Sequence, residues 1–289
     1  MDLQLAQLFV NGISIGSIIA LAAVGLTLTY GILRLSNFAH GDYMTLGAYL
    51  TLLVKSMTGL NIWLSLVGGI LLTIAVVLLI EKWVWAPMRT QRASSTTLII
   101  ISIGLALFLR NLILLIWGGE NQSYGLPVSS ALSFGGLRIP YYNLIVMVMA
   151  VVAIAALHYL LQNTRIGKAM RAVADDVDLA RVTGIDVERV ILWTWIIAGA
   201  LTALSGGMLG LVQAVRPNMG WFLILPLFAS VILGGIGNPY GAIAGALVIG
   251  VAQEVSTYFL RTEYKLAVAL LIMVLVLLFR PQGIFRGTT

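Results

Sequence analysis

QNTRIGKAMRAVADDVDLARVTGIDVER, residues 162–189, is the most heavily charged stretch of a chain that otherwise reads as hydrocarbon. Arg165, Lys168, Arg171, Arg181 and Arg189 balance Asp175, Asp176, Asp178, Asp186 and Glu188, so the segment is dense in charge and neutral in sum. Its apolar residues recur at Ile166, Met170, Val173/Ala174 and Val177, the spacing of one helical face. Thr164 stands where an N-cap belongs and Gly184 where a left-handed C-terminal cap falls. The spacing therefore predicts one short amphipathic helix over 165–182, with one side shaped to dock. A helix that lies on lipid carries a strongly basic polar face. This one carries as many acids as bases, which suits a reversible contact with a soluble protein.

Outward from that segment the sequence turns apolar on both sides. The chain of 289 residues is 60% hydrophobic and 10% charged, and its mean hydropathy is +1.01. Both figures lie outside the range of ordinary globular domains. Crossing a hydrocarbon core of about 30 Å takes roughly 20 apolar helical residues. Candidate spans fall near 5–30, 38–54, 61–80, 97–117, 141–161, 190–214, 222–236, 241–259 and 265–280. No barrel-like alternation occurs, so the fold class is all-α: a polytopic transmembrane bundle of about eight or nine spans, some short or broken, forming one domain over 1–289. The surplus of cations is scattered over span flanks and implies no nucleic-acid partner. Cysteine is absent and the two histidines lie far apart, which leaves neither disulfides nor a metal-ligand spacing. No cofactor is implied.

Basic residues set the expected orientation. Lys82, Arg89, Arg92, Arg165, Lys168, Arg171, Arg181, Arg189, Arg280 and Arg286, with Arg34 nearby, gather on one side, and Lys55, Arg138, Arg216, Arg261 and Lys265 on the other. The richer side is the cytoplasm, which gives nine crossings with the N-terminus outside and the C-terminus inside. MDLQLAQLF has no basic n-region, so the first span reads as uncleaved.

Two short segments echo each other. Asn37-Phe38-Ala39-His40-Gly41-Asp42 is followed by Gly47-Ala48-Tyr49, and Gly234-Gly235-Ile236-Gly237-Asn238-Pro239-Tyr240-Gly241 by Gly245-Ala246. Paired interruptions in two halves point to broken helices beside a transport path, with Asn37, His40, Gly41, Asp42, Gly237, Asn238 and Gly241 as its candidate lining. The competing reading is packing: Gly12/Gly16, Gly206/Gly210 and Gly241/Gly245 have the small-xxx-small spacing that lets helices approach. Asp42 also stands where it would favour a helix N-terminus. Arg110, beside Asn111, snorkels or pairs within the bundle, with a place on the path as the competing reading. Glu254 hydrogen-bonds in the bundle or lines a vestibule, and His158 reads as interfacial. Trp83, Trp85, Trp117, Trp193, Trp195 and Trp221 read as an aromatic belt. Residues 118–140, polar and turn-rich, read as an outer docking platform.

These motifs, in order with the ending Arg280-Pro281-Gln282-Gly283-Ile284-Phe285, resemble the permease subunits of ABC importers for branched-chain and neutral amino acids. The family's Asn-Phe-Ala-His-Gly-acid run and Gly-Ala-Tyr match 37–42 and 47–49, and its Arg-Ala…Ala…Gly-Ile coupling segment matches Arg171-Ala172, Ala180 and Gly184-Ile185. Its Gly-Gly-Ile-Gly…Gly-Ala stretch matches 234–242. The resemblance implies a bacterial inner-membrane protein that pairs with a second permease, as a heterodimer in many systems. It further implies two cytoplasmic ATPases and a periplasmic solute-binding protein. Arg165, Lys168, Arg171, Ala174, Asp175, Asp178, Arg181 and Gly184 would then form the ATPase-coupling helix. Permeases for urea and short amides are similar in the same places.

No P-loop of the form G-x-x-x-x-G-K-[ST] is present, so ATP would have to be bound elsewhere. Two rival classes remain. An ion-coupled secondary transporter normally shows a chain of intramembrane ionisable groups, whereas Asp42, Arg110 and Glu254 are widely separated in sequence. An intramembrane enzyme needs a grouped nucleophile and base, and only His40 with Asp42 offers a beginning of one.

Overall fold

The computed structural model describes residues 3–127, 131–134, 136–280 and 282–285. Pro281 and Arg286, used in the sequence reading, lie outside the described residues. The helices are α1 Leu3–Leu33, α2 His40–Thr58, α3 Ile62–Ile80, α4 Ala86–Thr90, α5 Ser95–Trp117 and α6 Tyr141–Asn163. They continue as α7 Arg165–Asp175, α8 Val177–Val182, α9 Val187–Val212, α10 Met219–Gly234, α11 Pro239–Ser256 and α12 Lys265–Phe279. Strands β1 Ala131–Phe134 and β2 Leu137–Pro140 form a small antiparallel hairpin. The chain is an all-α polytopic helical protein. Among the described residues, six helical segments are long and apolar enough to cross a membrane.

Capping residues start the helices where the apolar runs begin. Asn61 accepts from the Leu64 amide ahead of α3, and Ser94 from the Thr97 amide ahead of α5. The loop expected over 81–97 is shorter than that. A π-helical turn, Glu81–Trp85, joins α3 to α4 and carries the helix on to Thr90. It is held by the ion pair of Arg89 with Glu81 and by Trp85, buried and stacked on Trp195 at 6.4 Å. Those two tryptophans are therefore core residues and no part of an aromatic belt.

The bundle has a hairpin end and a charged end. At the hairpin end, Gln7 of α1 donates to the carbonyl of Arg138 and accepts from its amide. At the charged end, α7 packs on α6, α9 and α1, and α8 packs on α7 and α9. The apolar windows of α1 and α9 are 67% and 78% buried, against 22% for α5 and α6 and 6% for the window ending in α12. The first two are thus the core and the others form the rim.

Two crossings are composite. After α1 the chain turns back through an irregular stretch, 34–39, that closes in a turn at Phe38–Ala39, and α2 begins only at His40, which lies against Ala22 of α1 and Thr202 of α9. After α9 the chain again turns inward through 213–218, and α10 begins at Met219. Each crossing is half irregular chain and half helix. α2 runs from the interior towards the hairpin end and α10 from the interior towards the charged end. Their first turns touch: a Cβ on Gly220 would collide with the carbonyl oxygen of Gly41, and a Cβ on Gly41 with that of Gly220. The sequence paired 37–42 with 234–241; the geometry pairs 34–40 with 213–219.

Glycine elsewhere serves close packing. Gly12 and Gly16 meet α11 at Val251 and Leu247, Gly206 meets Met44 of α2, and Gly245 meets Ser230 of α10. Gly220→Ala should therefore force the two inner helix ends apart, at about 1–3 kcal/mol for overpacking. Thermal unfolding in detergent should show it as a lowered midpoint. Gly104→Ala on α5, where nothing lies within 4 Å of the new Cβ, should leave the midpoint unchanged.

Candidate functional site

Where α2 and α10 meet, polar groups collect in a buried place. Asn37 accepts the Ala39 amide on its Oδ1 and the His40 amide on its carbonyl oxygen, closing a tight turn ahead of α2. The His40 ring lies with Nε2 2.8 Å from the Ala22 carbonyl and 2.9 Å from Thr202 Oγ1. Asp42, in the first turn of α2, is fully buried and receives Arg110 Nε of α5 at 3.3 Å. The Arg110 guanidinium lies 4.2 Å from the ring centroid of Trp221 in the first turn of α10. The Gly220 amide donates to Thr45 Oγ1. Asn37, His40, Gly41 and Asp42 are thus brought together, with two partners the sequence reading did not join to them. Of the snorkelling, paired and path-lining roles that its sequence position allows, the structure shows Arg110 paired, with Asp42. Trp221 was placed in a belt, yet it covers that arginine.

The second expected turn lies elsewhere, at the charged end. Gly235 and Gly237 have φ of +103° and +88°, values that leave little room for other residues. Asn238 caps α11 by accepting from the Tyr240 and Gly241 amides, and its Nδ2 donates to the carbonyl of Phe285. Ile284 and Phe285 donate to the carbonyls of Leu233 and Gly234. The Gln282–Phe285 segment therefore folds back as a brace on this turn. Gly41 and Gly237 sit near opposite ends of α10 and do not share one site.

The charged segment departs from the single helix that its spacing predicts. Thr164 does cap α7, accepting from Gly167 N, and Gly184 does adopt a left-handed φ of +87°. Asp176 interrupts the run in extended conformation and caps α8 through Asp178 N and Leu179 N. An Asx cap competes with helix continuation because its side chain satisfies the next turn's amides. Met170, Val173 and Ala180 are buried against the bundle. Arg165, Lys168, Asp175, Asp178 and Arg181 are exposed, as are Leu179 and Val182 at 60% and 80%. Two bare aliphatic side chains thus stand among charges of both signs on the exposed face. Arg171, also exposed, folds back onto the end of α6, bonding the Leu161 carbonyl and, at 2.9 Å, Gln162 Oε1. Gln162 donates to the Tyr240 hydroxyl, which also lies 2.8 Å from His158 Nδ1. A polar chain thus joins α7 to the first turn of α11. Sequence singled out none of its links as such, since the partners lie far apart in the chain.

At the hairpin end, Tyr124 is buried and donates its hydroxyl to the Ala48 carbonyl. Burial raises its pKa, which keeps it a donor. Lys55 bonds the Tyr124 carbonyl, and Gln122 pairs with Val215 on the inward-turning strand 213–218. Glu254 pairs with Lys265 at 2.6 Å, so it braces α11 against α12. Among the described residues no group of three or more His, Cys, Asp or Glu could hold a metal.

The pattern of one family, described as the permease component of the branched-chain amino acid transport system, matches residues 8–277. The chain belongs to that family. The permease is 34% identical to the high-affinity branched-chain amino acid transport system permease protein LivH of Salmonella typhimurium, over 97% of this chain and 94% of that protein. It is 31% identical to the corresponding protein BraD of Pseudomonas aeruginosa, over 96% and 94%. It is also 31% identical to a probable LivH of Methanocaldococcus jannaschii, over 98% and 93%. No solved structure matches the permease. Its helices and relatives make it a multi-pass membrane transport subunit, as the motifs implied.

Asp176 gives the permease's charged segment a direct test. Asp176→Ala should cost about 1 kcal/mol of capping, seen as faster hydrogen exchange at the amides of 178–182. Asp176→Asn, which keeps the accepting oxygen, should exchange like the parent.

Proposed function

We propose that the permease is the membrane half of an inner-membrane ABC importer for branched-chain or other neutral amino acids. It works with a second permease, two cytoplasmic ATPases and a periplasmic binding protein. The charged end with α7 and α8 faces the cytoplasm, and the chain's N-terminus lies on the far side. The observation that carries the reading is the arrangement of α7. It is exposed on one face and buried on the other, and it is wired through Arg171, Gln162 and Tyr240 to α11.

The mechanism follows the rigid parts. An ATPase closing under α7 and α8 displaces the start of α11 and, with it, the Gly234–Gly241 turn. Gly234 and Gly241 are in backbone contact, so that displacement enters α10 at its cytoplasmic end. The other end of α10 is Gly220, which rests on Gly41. Movement of α10 therefore opens or closes the junction of the two composite crossings, where Asn37, His40 and Asp42 meet the solute. Broken helices at membrane depth are tolerated only where protein or a wet cavity satisfies the backbone, which suits a gate. The two turns named from the sequence act at opposite ends of one lever.

Ala174→Pro removes a backbone donor within α7 and clashes with the preceding turn, costing about 3 kcal/mol of helix. The complex should then assemble yet lose the stimulation of ATP hydrolysis by loaded binding protein. Full stimulation in that variant refutes transmission through α7.

At the opposite face, the exposed loop and hairpin over 118–140 form the docking platform for the binding protein; residues 128–130 and 135 of it lie outside the described residues. Charge reversal at Glu120 and Arg138, both exposed, should weaken docking more at low salt than at high salt. Equal affinity of parent and reversed complexes at low ionic strength, read by titration of the binding protein, rules the platform out.

A further inference from the structure

Buried arginine–carboxylate pairs are frequently two-pronged, with each oxygen and each nitrogen engaged. The Asp42–Arg110 pair is joined at one point, Nε to Oδ1. Asp42 Oδ2 and Arg110 Nη2 are both buried and have no hydrogen-bond partner among the described residues. Leaving a charged donor and a charged acceptor unsatisfied at this depth is costly. The surroundings sharpen the imbalance. Each helix N-terminus carries about half a positive charge, and the N-termini of α2 and α10 abut here through Gly41 and Gly220. Two such ends and one guanidinium face a single carboxylate, so the junction holds surplus positive potential that a second carboxylate would offset.

We propose that Asp42 and Arg110 form a binding site for the zwitterionic head of an α-amino acid, and that the solute completes the pair that the protein leaves half made. The α-carboxylate takes Arg110 Nη2 and the two helix ends. The α-ammonium takes Asp42 Oδ2. The aliphatic side chain of the solute lies against Trp221 and Phe222, which are 39% and 59% exposed. Entry is from the Arg110 side, since that side chain is 15% exposed and Asp42 only 1%. This site rests on the importer reading above and narrows its substrate class: urea and short amides carry neither charge and could not fill it.

The test compares leucine uptake by the complete importer in proteoliposomes, with Asp42→Asn, Arg110→Gln, Arg110→Lys and the double variant Asp42→Asn/Arg110→Gln. A pair with only a structural role fails in the singles, which strand one buried charge, and recovers when both charges are removed. A zwitterion site fails in the singles and in the double. The expected loss is about ten- to a hundredfold in uptake, one charge-assisted hydrogen bond read as a rate, with all variants still co-purifying with the ATPases. Arg110→Lys, which keeps the charge, should retain more uptake than Arg110→Gln. Recovery of parental uptake by the double variant, or loss of its co-purification, overturns this inference and leaves the importer reading standing. Uptake of urea or acetamide in place of leucine by the unmodified complex overturns both.

Discussion

The contact between Gly41 and Gly220 is the constraint on which the rest of the permease depends. It lets two helices end inside an apolar bundle with their backbones touching. A helix start leaves its first amides without intrahelical partners, and hydrocarbon offers none. The protein must therefore bring polar groups to that depth. Asn37 serves the amides of Ala39 and His40, Thr45 serves that of Gly220, and Asp42 lies in the first turn where its charge favours the helix. The cluster that looks like a functional site is in this sense required by the fold. What the fold does not require is Arg110, whose positive charge works against two positive helix ends.

The same contact explains how the core is divided. α2 and α9 are zipped where Gly206 meets Met44 and Gly47 meets Ala203. α1, α10 and α11 are zipped where Gly12 and Gly16 meet Val251 and Leu247, and where Gly241 meets Gly234. Close-packed backbones of this kind move as units, because packed cores are bistable and not continuously deformable. Beside the Gly41–Gly220 contact, the joints between the two groups are side-chain bonds: His40 Nε2 to the Ala22 carbonyl, Ser205 to the Ile18 carbonyl, and Thr45 Oγ1 to the Gly220 amide. Motion between the groups thus falls on the Gly41–Gly220 contact and on hydrogen bonds that can exchange partners, and spares the glycine seams within each group.

The fold was legible in the sequence to the extent that hydropathy fixes it. Each of the apolar segments became a helix, and Thr164, Asn238 and Gly184 occupy the caps that their chemistry favours. The breaks were harder. The turn at 234–241 announces itself with glycines, because it needs positive φ at Gly235 and Gly237. The inward-turning strand at 213–218 carries no such mark. It is an extended stretch ending in Pro217-Asn218 whose depth comes from Gly220 meeting Gly41, a contact between residues far apart in sequence. For the same reason the symmetry was assigned to the wrong partner. Asp176 was readable as an Asx cap, but the apolar spacing of 165–182 runs through it without a fault. The tryptophans misled because indole is equally suited to an interface and to a stacked core pair.

Pro226 shows how the lever and the site fit together. It lies within α10 between Gly234, which meets Gly241 at the charged end, and Gly220, which meets Gly41. Proline removes one backbone donor and clashes with the preceding turn, so it weakens a helix locally while leaving both flanks intact. The carbonyl left without its helical amide is that of Phe222, while Ser230 donates to the Pro226 carbonyl one turn further on. A uniform rod would pass displacement at the charged end directly to Gly220. A rod with one soft turn can instead change the angle of its inner segment, the part that carries Trp221 over Arg110. The ring and the guanidinium would then separate or close together as α10 flexes. Exposure of the half-made ion pair would in this way be tied to the position of α7, at the other end of the molecule.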